Sequence, residues 1–129
     1  MSSMTYQAGR VAAFAGNCGY GSNSEVHSLV KESLSALGLA GDFIRPGDRV
    51  VLKPNWVKEH DERKPGPDQW EHVVTHPSVI EGVIRWVAPQ LKGQGSITIC
   101  DAPQTDSSFA TLRKYCQLDE TVARCAKDY

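Results

Sequence analysis

Two charged side chains follow directly on predicted buried strands, and this is where the sequence best accommodates chemistry. The stretch "RVVLKPNW", residues 49–56, runs from apolar residues straight into Lys53, and "SITIC", residues 96–100, is followed at once by Asp101. A buried ammonium is costly unless it is paired. Lys53 and Asp101 therefore either form a structural ion pair or belong to a ligand-binding site. In such a site Lys53 would bind an anion, and Asp101 would orient Lys53 or act as a base. The residues leave both interpretations open.

Amide side chains stand close to both charged residues in the sequence. Asn55 comes two positions after Lys53, behind a proline that ends the strand by removing a backbone donor. Gln104 lies in the loop "DAPQTD" that begins with Asp101. An amide offers both a donor and an acceptor. We therefore predict Asn55 and Gln104 as ligand-binding residues beside a catalytic pair, Lys53 and Asp101.

Two further segments contribute backbone groups to the same predicted site. The loop "GNCGYGSN" carries Gly19 and Gly21, but its spacing is not G-x-G-x-x-G and no P-loop lysine follows, so a plain turn remains an alternative to anion binding. In "THPS", Thr75 and His76 precede a predicted helix start with Pro77 in its first turn. The free N–H groups of a helix start suit an anion. We therefore add these glycines, Thr75 and His76 to the ligand-binding set.

The chain offers little support for a metal or a disulfide framework. None of its four cysteines forms a C-x-x-C pair, so zinc-ribbon and iron–sulfur ligation are poorly supported. His72 and His76 flank a predicted helix start and are not assigned to a metal. Cys100 is expected to be a small buried hydrophobe. We predict reduced thiols, no metal site, and no cofactor that the sequence can name.

Composition excludes several kinds of partner. The chain has 129 residues, with a formal net charge of −1 and 40% hydrophobic residues. A nucleic-acid or anionic-membrane partner would require a basic surplus. No apolar run approaches the roughly 20 residues of a membrane helix, and the first residues do not resemble a secretion signal. The expected location is the cytoplasm, and the expected partner is a small anionic molecule.

Apolar periodicity predicts alternating strands and helices. Strands are predicted at residues 10–16, 49–53 and 96–100, with amphipathic helices after the first two and two shorter helices after the third. This order predicts a single α/β domain over residues 1–129: a three-layer, Rossmann-like parallel sheet with helices on both faces and the first strand in the centre. Three strands make an incomplete sheet. We expect a missing C-terminal half, or a second copy in a homo-oligomer, to complete it.

A long polar loop separates the second strand from the next helix. Residues 58–69, "KEHDERKPGPDQ", contain two prolines and show no periodicity. A loop of this length in a compact domain is usually functional or disordered. With few apolar groups to offset the entropy of ordering, it is expected to pack poorly.

Three motifs in this order resemble a known family. "PGDRVVLKPNWV", "THPSVIEGVIRWV" and "SITICDAPQTD" are similar to the N-terminal portion of the domain of unknown function 362 family. The resemblance covers residues 11–129 and implies a longer parent protein whose reaction is generally unassigned. Some members carry ferredoxin-like cysteine motifs toward the C-terminus, which implies redox-associated chemistry for those members. Such cysteines are absent here.

The residues and the resemblance together lead to two functional hypotheses. The first is an enzyme domain, of unassigned reaction, that binds a small anionic metabolite at the carboxyl ends of its parallel strands. The alternative is a non-catalytic interaction or assembly module whose polar strand-end edge is a protein interface. The first requires Lys53 and Asp101 to converge on an open pocket. The second requires an exposed apolar patch or an unpaired sheet edge.

Overall fold

The part of the chain that the structure describes is a mixed α/β arrangement of two parallel strands and four helices. A computed structural model describes residues 11–16, 19–39, 43–64 and 69–129. The elements in chain order are α1 (Asn23–Ala36), β1 (Arg49–Leu52), a short 3-10 turn (Trp70–His72), α2 (Pro77–Leu91), β2 (Ser96–Ile99), α3 (Phe109–Tyr115) and α4 (Leu118–Asp128). None of the helices in these described ranges has the length and apolar character needed to cross a membrane.

Strands β1 and β2 pair in parallel, with Arg49 opposite Ser96 and Leu52 opposite Ile99. Side chains alternate between two faces of a strand. Those of one face pack on the hydrophobic core, and they are Val50, Leu52, Ile97 and Ile99. The opposite face is open among the described residues, and Val51 on it is 62% exposed. The described sheet is therefore covered by helices on one face.

Helix α2 is the central element of the core. Its apolar stripe is buried, including Ile80, Ile84 and Val87. The His76 side chain caps its start by accepting a hydrogen bond from the Ser78 N–H, and proline occupies the first helical turn as predicted. Its last residue is Leu91, and the C-cap residue Lys92 adopts the left-handed conformation.

Helix α1 packs closely against α2. A Cβ added at Gly82 would lie 3.2 Å from the side chain of Val30, so the small residue permits this approach. The sequence suggests Asn23 or Ser24 as the cap of this helix, but the N-cap is Ser22, and it makes no capping side-chain bond. Asn23 instead accepts a 2.6 Å hydrogen bond from the Ser78 hydroxyl. This contact places the start of α1 beside the start of α2.

Helices α3 and α4 complete the described core. Leu112 and Cys116 contribute from α3 and its end, and Leu118 and Cys125 from α4. The sequence suggests Asp106 as the cap of α3, but Ser108 caps it by accepting from the Thr111 N–H. A further, partly buried link joins α4 to α2, because Arg124 donates to Glu81.

The predicted first strand is wrong. Residues 11–16, the described part of that segment, form no strand, and Val11 and Phe14 are exposed. A strand between β1 and β2 is also excluded, because these two pair directly with each other. An apolar run favours a strand only when a sheet edge or core is available to bury it. The three-layer Rossmann-like arrangement is therefore not confirmed.

Candidate functional site

The Lys53 ammonium and the Asp101 carboxylate meet at the carboxyl ends of the two strands. The Nζ–Oδ1 distance is 2.8 Å, with the lysine side chain 69% exposed and the aspartate side chain 6% exposed. Lys53 follows β1 directly and Asp101 lies two residues after the end of β2, and parallel pairing brings the two strand ends together. The structure thus contains the ion pair that one of the two sequence interpretations expected.

Asp101 is held by backbone groups as well as by the lysine. Its Oδ2 accepts a 2.7 Å hydrogen bond from the backbone N–H of Trp56. The hydrogen bond from Lys53 is the largest of the effects that hold the pKa of Asp101 below its ordinary value, followed by the bond from Trp56. The Ala102 N–H acts in the same direction, and these donors outweigh the opposing effect of desolvation. A carboxylate so stabilised is a weak base.

The chain after Lys53 is locked against the segment that precedes α2. Trp56 and Val74 form an isolated antiparallel bridge. Thr75 donates its backbone N–H to the Asn55 carbonyl at 2.9 Å, and its Oγ1 accepts from the Asn55 N–H at 2.9 Å. The Thr75 hydroxyl is therefore occupied in holding the backbone of Asn55. The Asn55 side chain itself is exposed.

His76 is partly buried in an aromatic stack. Its ring lies between Tyr20, with centroids 4.0 Å apart, and Trp70, at 5.2 Å. Burial is the main cause that lowers the pKa of His76, and it is opposed by Glu71, whose Oε1 lies 3.6 Å from Nε2. The His76 Nδ1 accepts from the Ser78 N–H at the start of α2, and the ring stacks on Tyr20 of the glycine loop. The side chain therefore holds both the helix start and the loop in place.

The remaining predicted ligand-binding residues lie on the surface. Gly19 and Gly21 flank Tyr20, are exposed, and have open space where a Cβ would stand. Tyr20 therefore brings the glycine loop to the α2 start. Gln104 is exposed, and its backbone N–H donates to the Val57 carbonyl at 3.0 Å. The structure brings together Lys53 with Asp101, Asn55 with Thr75, and the glycine loop with His76.

The polar loop contributes contacts that sequence reasoning missed. Lys58 donates 2.6 Å bonds to both Glu62 and Asp106, and Glu59 accepts a 2.6 Å bond from the Ser107 hydroxyl. Poor packing is therefore the wrong description of residues 58–64, while residues 65–68 lie outside the described ranges. The complementary charges of "KEHDE" and "TDSS" were the available signal, but sequence separation alone does not indicate which charges meet.

Asp61 anchors the same loop from within. It is buried and accepts from Arg63 both through the guanidinium, at 3.1 and 2.9 Å, and through the backbone N–H. These bonds from Arg63 lower the pKa of Asp61 to about 2. The described part of the loop is thus a docked segment next to the strand-end residues.

Cysteine chemistry is less prominent than the strand-end pair. The described cysteines Cys100, Cys116 and Cys125 are free thiols, whereas Cys18 lies outside the described residues. Burial raises the pKa of both Cys116 and Cys125, which makes them unreactive. Cys100 is exposed beyond the end of β2, so the expectation that it is buried is wrong. Within the described ranges, no cluster of three or more potential metal ligands forms.

Two cavities in the described structure lie away from Lys53 and Asp101. One is lined by α1, α2 and the turn before β1, with a volume of about 720 Å³. The other, of about 530 Å³, is lined by α2, β2 and α4. The strand-end pair is therefore an open surface feature rather than part of either cavity.

Comparisons with family models, curated proteins and solved structures found no match to this chain. The resemblance to the domain of unknown function 362 family stays a prediction from the three sequence motifs.

Proposed function

We propose that the chain binds a small anion at the carboxyl ends of its parallel strands, with Lys53 as the charged contact. The observation that carries the proposal is the asymmetry of the Lys53–Asp101 pair: the carboxylate is buried while most of the lysine side chain faces solvent. An ammonium that a carboxylate holds from the protein side can attract an anion from the solvent side. The bound class would be phosphate or a small carboxylate.

The other residues of the site take distinct roles in this proposal. Asp101 orients the lysine, and its lowered pKa makes it a weak base. The exposed side chains of Asn55 and Gln104 offer hydrogen bonds to the anion. Thr75 and His76 act as positioning residues, because the Thr75 hydroxyl binds the backbone of Asn55 and the His76 ring caps the start of α2. Three further parts of the proposal rest only on the motif resemblance. They are membership of the domain of unknown function 362 family, a longer redox-associated parent protein, and an enzymatic reaction.

Thermal unfolding of wild type and Lys53→Met against inorganic phosphate and succinate tests this function. Methionine keeps most of the side-chain volume and removes the charge. A ligand at one hundred times its dissociation constant stabilises the fold by about 2.7 kcal/mol. We expect a saturable rise in the wild-type Tm at millimolar anion and its loss in Lys53→Met.

The matched control is Lys114→Met, an exposed lysine on α3 that forms no ion pair with a described residue. Phosphate also stabilises proteins generally by exclusion from their surface, and that effect is the same in both variants. A rise in Tm of equal size in wild type and both variants would therefore rule out the site, as would an absence of any response in wild type.

A specific observation favours a second candidate, the assembly module. Parallel sheets are normally buried on both faces. Here Val51 is 62% exposed on the open face. The carbonyls of Asp48 and Leu52 accept from β2, so the alternate residues Arg49 and Val51 turn their backbone groups away from it. No described residue pairs with that outer edge. The occupant we propose is a second copy of this chain, which would also supply the missing layer of a Rossmann-like fold.

Sedimentation equilibrium over a range of protein concentrations tests the assembly module. We expect a reversible dimer in the wild type and a weaker one in Val51→Lys, because a lysine on the open face opposes sheet extension. Val122→Lys, at an exposed apolar position on α4, is the matched control and should associate as the wild type does. A monomer at every concentration would exclude this candidate.

A further inference from the structure

A cavity of about 720 Å³ lies between α1, α2 and the turn that leads into β1. Its walls include Ile44 and Pro46 before the strand, and Lys92 after α2. These positions place it toward the amino ends of the strands, whereas Lys53 and Asp101 stand at the carboxyl ends. The cavity is therefore separate from the site proposed above.

Among the described residues that line the cavity, the charged side chains all have one sign. Four of these residues are basic and none carries a carboxylate; the four are Lys31, Arg45, Arg85 and Lys92. Arg85 is neutralised by Glu81 at 2.9 Å and by Asp128 at 2.8 Å. The other three form no ion pair with a described residue. In a chain whose net charge is −1, this is a local positive surplus that favours an anionic ligand.

The same wall has an apolar part. Ile44 is buried, and Trp86, Pro46 and Pro89 contribute flat or rigid apolar surfaces. Binding sites for small organic molecules typically have volumes of about 300–1,000 Å³ and combine apolar walls with a few polar groups. This composition suits a flat apolar body better than a bare inorganic ion, which gains nothing from the indole and proline surfaces.

Two buried polar atoms in these wall residues have no partner in the described structure. They are His27 Nε2 and Gln90 Oε1, and Trp56 Nε1 outside the cavity is the third such atom in the described ranges. Gln90 is oriented by its Nε2, which donates to the Trp86 carbonyl at 2.7 Å. Buried polar groups are nearly always hydrogen-bonded, and each exception requires an explanation. The wall thus carries hydrogen-bonding capacity that the described protein atoms do not use.

We propose that this cavity binds a small organic anion with a flat apolar body. The unpaired basic side chains Lys31, Arg45 and Lys92 attract the carboxylate or sulfonate group of the ligand. Trp86, Pro46 and Pro89 contact the apolar body of the ligand. After a small side-chain adjustment, the amide of Gln90 or the imidazole of His27 forms a hydrogen bond with the ligand.

Indole-3-acetate is a suitable probe, and indole-3-acetamide is its neutral match of nearly the same shape. Two-dimensional ¹H–¹⁵N NMR of the full chain measures affinity and location together. We expect saturable shifts of backbone amides in residues 27–31, 44–47 and 82–92. We expect the acetamide to bind at least tenfold more weakly, because it lacks the charge that the basic side chains attract.

Two variants separate this site from the strand-end site. Arg45→Met with Lys92→Met should weaken indole-3-acetate binding at least tenfold, while Lys53→Met should leave it unchanged. Both sites of substitution in the double variant are exposed, so the fold should be retained, and the unperturbed amides of α3 and α4 check this. The proposal would be overturned if indole-3-acetate and indole-3-acetamide bound equally well. Amide shifts centred outside the cavity, or the absence of any saturable shift, would also overturn it.

Discussion

Lys53 and Asp101 form a 2.8 Å ion pair in which the two partners depend on it unequally. Asp101 is buried and accepts further bonds from backbone N–H groups, including that of Trp56 at 2.7 Å. Lys53 is mostly in water, where its charge is solvated without help. Asp101, after β2, therefore joins the two strand ends by binding the backbone N–H of Trp56, which follows β1. The lysine adds a positive charge at the surface.

Substitution of the two partners should have unequal effects on stability. Asp101→Ala leaves the Trp56 and Ala102 N–H groups without their acceptor, and we expect a loss of about 1–3 kcal/mol. Lys53→Met removes only an exposed ion-pair partner, so about 0–1 kcal/mol is expected. Urea unfolding of the two single variants and the double variant measures both effects and their coupling. A Lys53→Met loss as large as that of Asp101→Ala would contradict this account.

His76 should make the stability depend on pH near neutrality. Burial lowers its pKa below the ordinary value of 6.5, so the unfolded chain takes up a proton before the folded chain does. Stability should then be full above the unfolded pKa and fall as the pH drops through about 6.5 toward the lower pKa of the folded chain. Protonation at Nδ1 would also break the cap bond from Ser78.

The test of this pH dependence is the slope of unfolding free energy against pH in His76→Asn. Asparagine is a good helix cap without a titrating group, so the slope should become shallower even if the absolute stability changes. His27→Asn is the necessary comparison, because burial lowers the pKa of His27 too. Identical slopes in wild type and His76→Asn would disprove the role.

Glu81 should be important for joining α2 to α4. It is 2% exposed and accepts from Arg85 at 3.0 and 2.9 Å and from Arg124 at 2.8 Å. Burial raises its pKa, but the bonds from Arg124 and Arg85 outweigh burial, and the pKa lies below the ordinary value. We expect Glu81→Gln to cost about 1–3 kcal/mol in calorimetry or urea unfolding. Glu32→Gln, on the exposed surface of α1, is the control and should be nearly neutral.

Two glycines before β2 should differ sharply in their tolerance of alanine. Both have positive φ, 71° at Gly93 and 97° at Gly95. A Cβ at Gly93 would meet no atom within 4 Å, so the cost should be the about 1–2 kcal/mol of a left-handed alanine. A Cβ at Gly95 would clash with the Asp48 carbonyl oxygen, which accepts the Ser96 N–H at the start of the strand pairing.

We therefore expect Gly95→Ala to cost more than about 3 kcal/mol, because the backbone must shift and the first ladder bond is disturbed. Thermal unfolding of the two alanine variants provides the comparison. Similar Tm values would show that the turn before β2 can relax and that the close approach is not required.

Local pattern was sufficient for much of the fold. The apolar periodicity of α2 and the Pro77 start predicted that helix, and the short β-branched runs predicted β1, β2 and their parallel pairing. These features are encoded within a few neighbouring residues, because a helix face or a buried strand repeats at a fixed spacing. The meeting of Lys53 with Asp101 also followed from pattern, since parallel strands end at one edge.

Other features were decided by tertiary contacts between distant segments. Residues 10–16 have the composition of a strand, yet their described part has no sheet partner and stays exposed. The Thr75 hydroxyl and the His76 ring looked like ligand groups, but the hydroxyl holds the Asn55 backbone and the ring stacks between Tyr20 and Trp70. Sequence alone determined which residues could do chemistry and where the strands end. Only the tertiary structure decided which polar groups already have partners, because hydrogen bonds and ion pairs form across separations that no local pattern encodes.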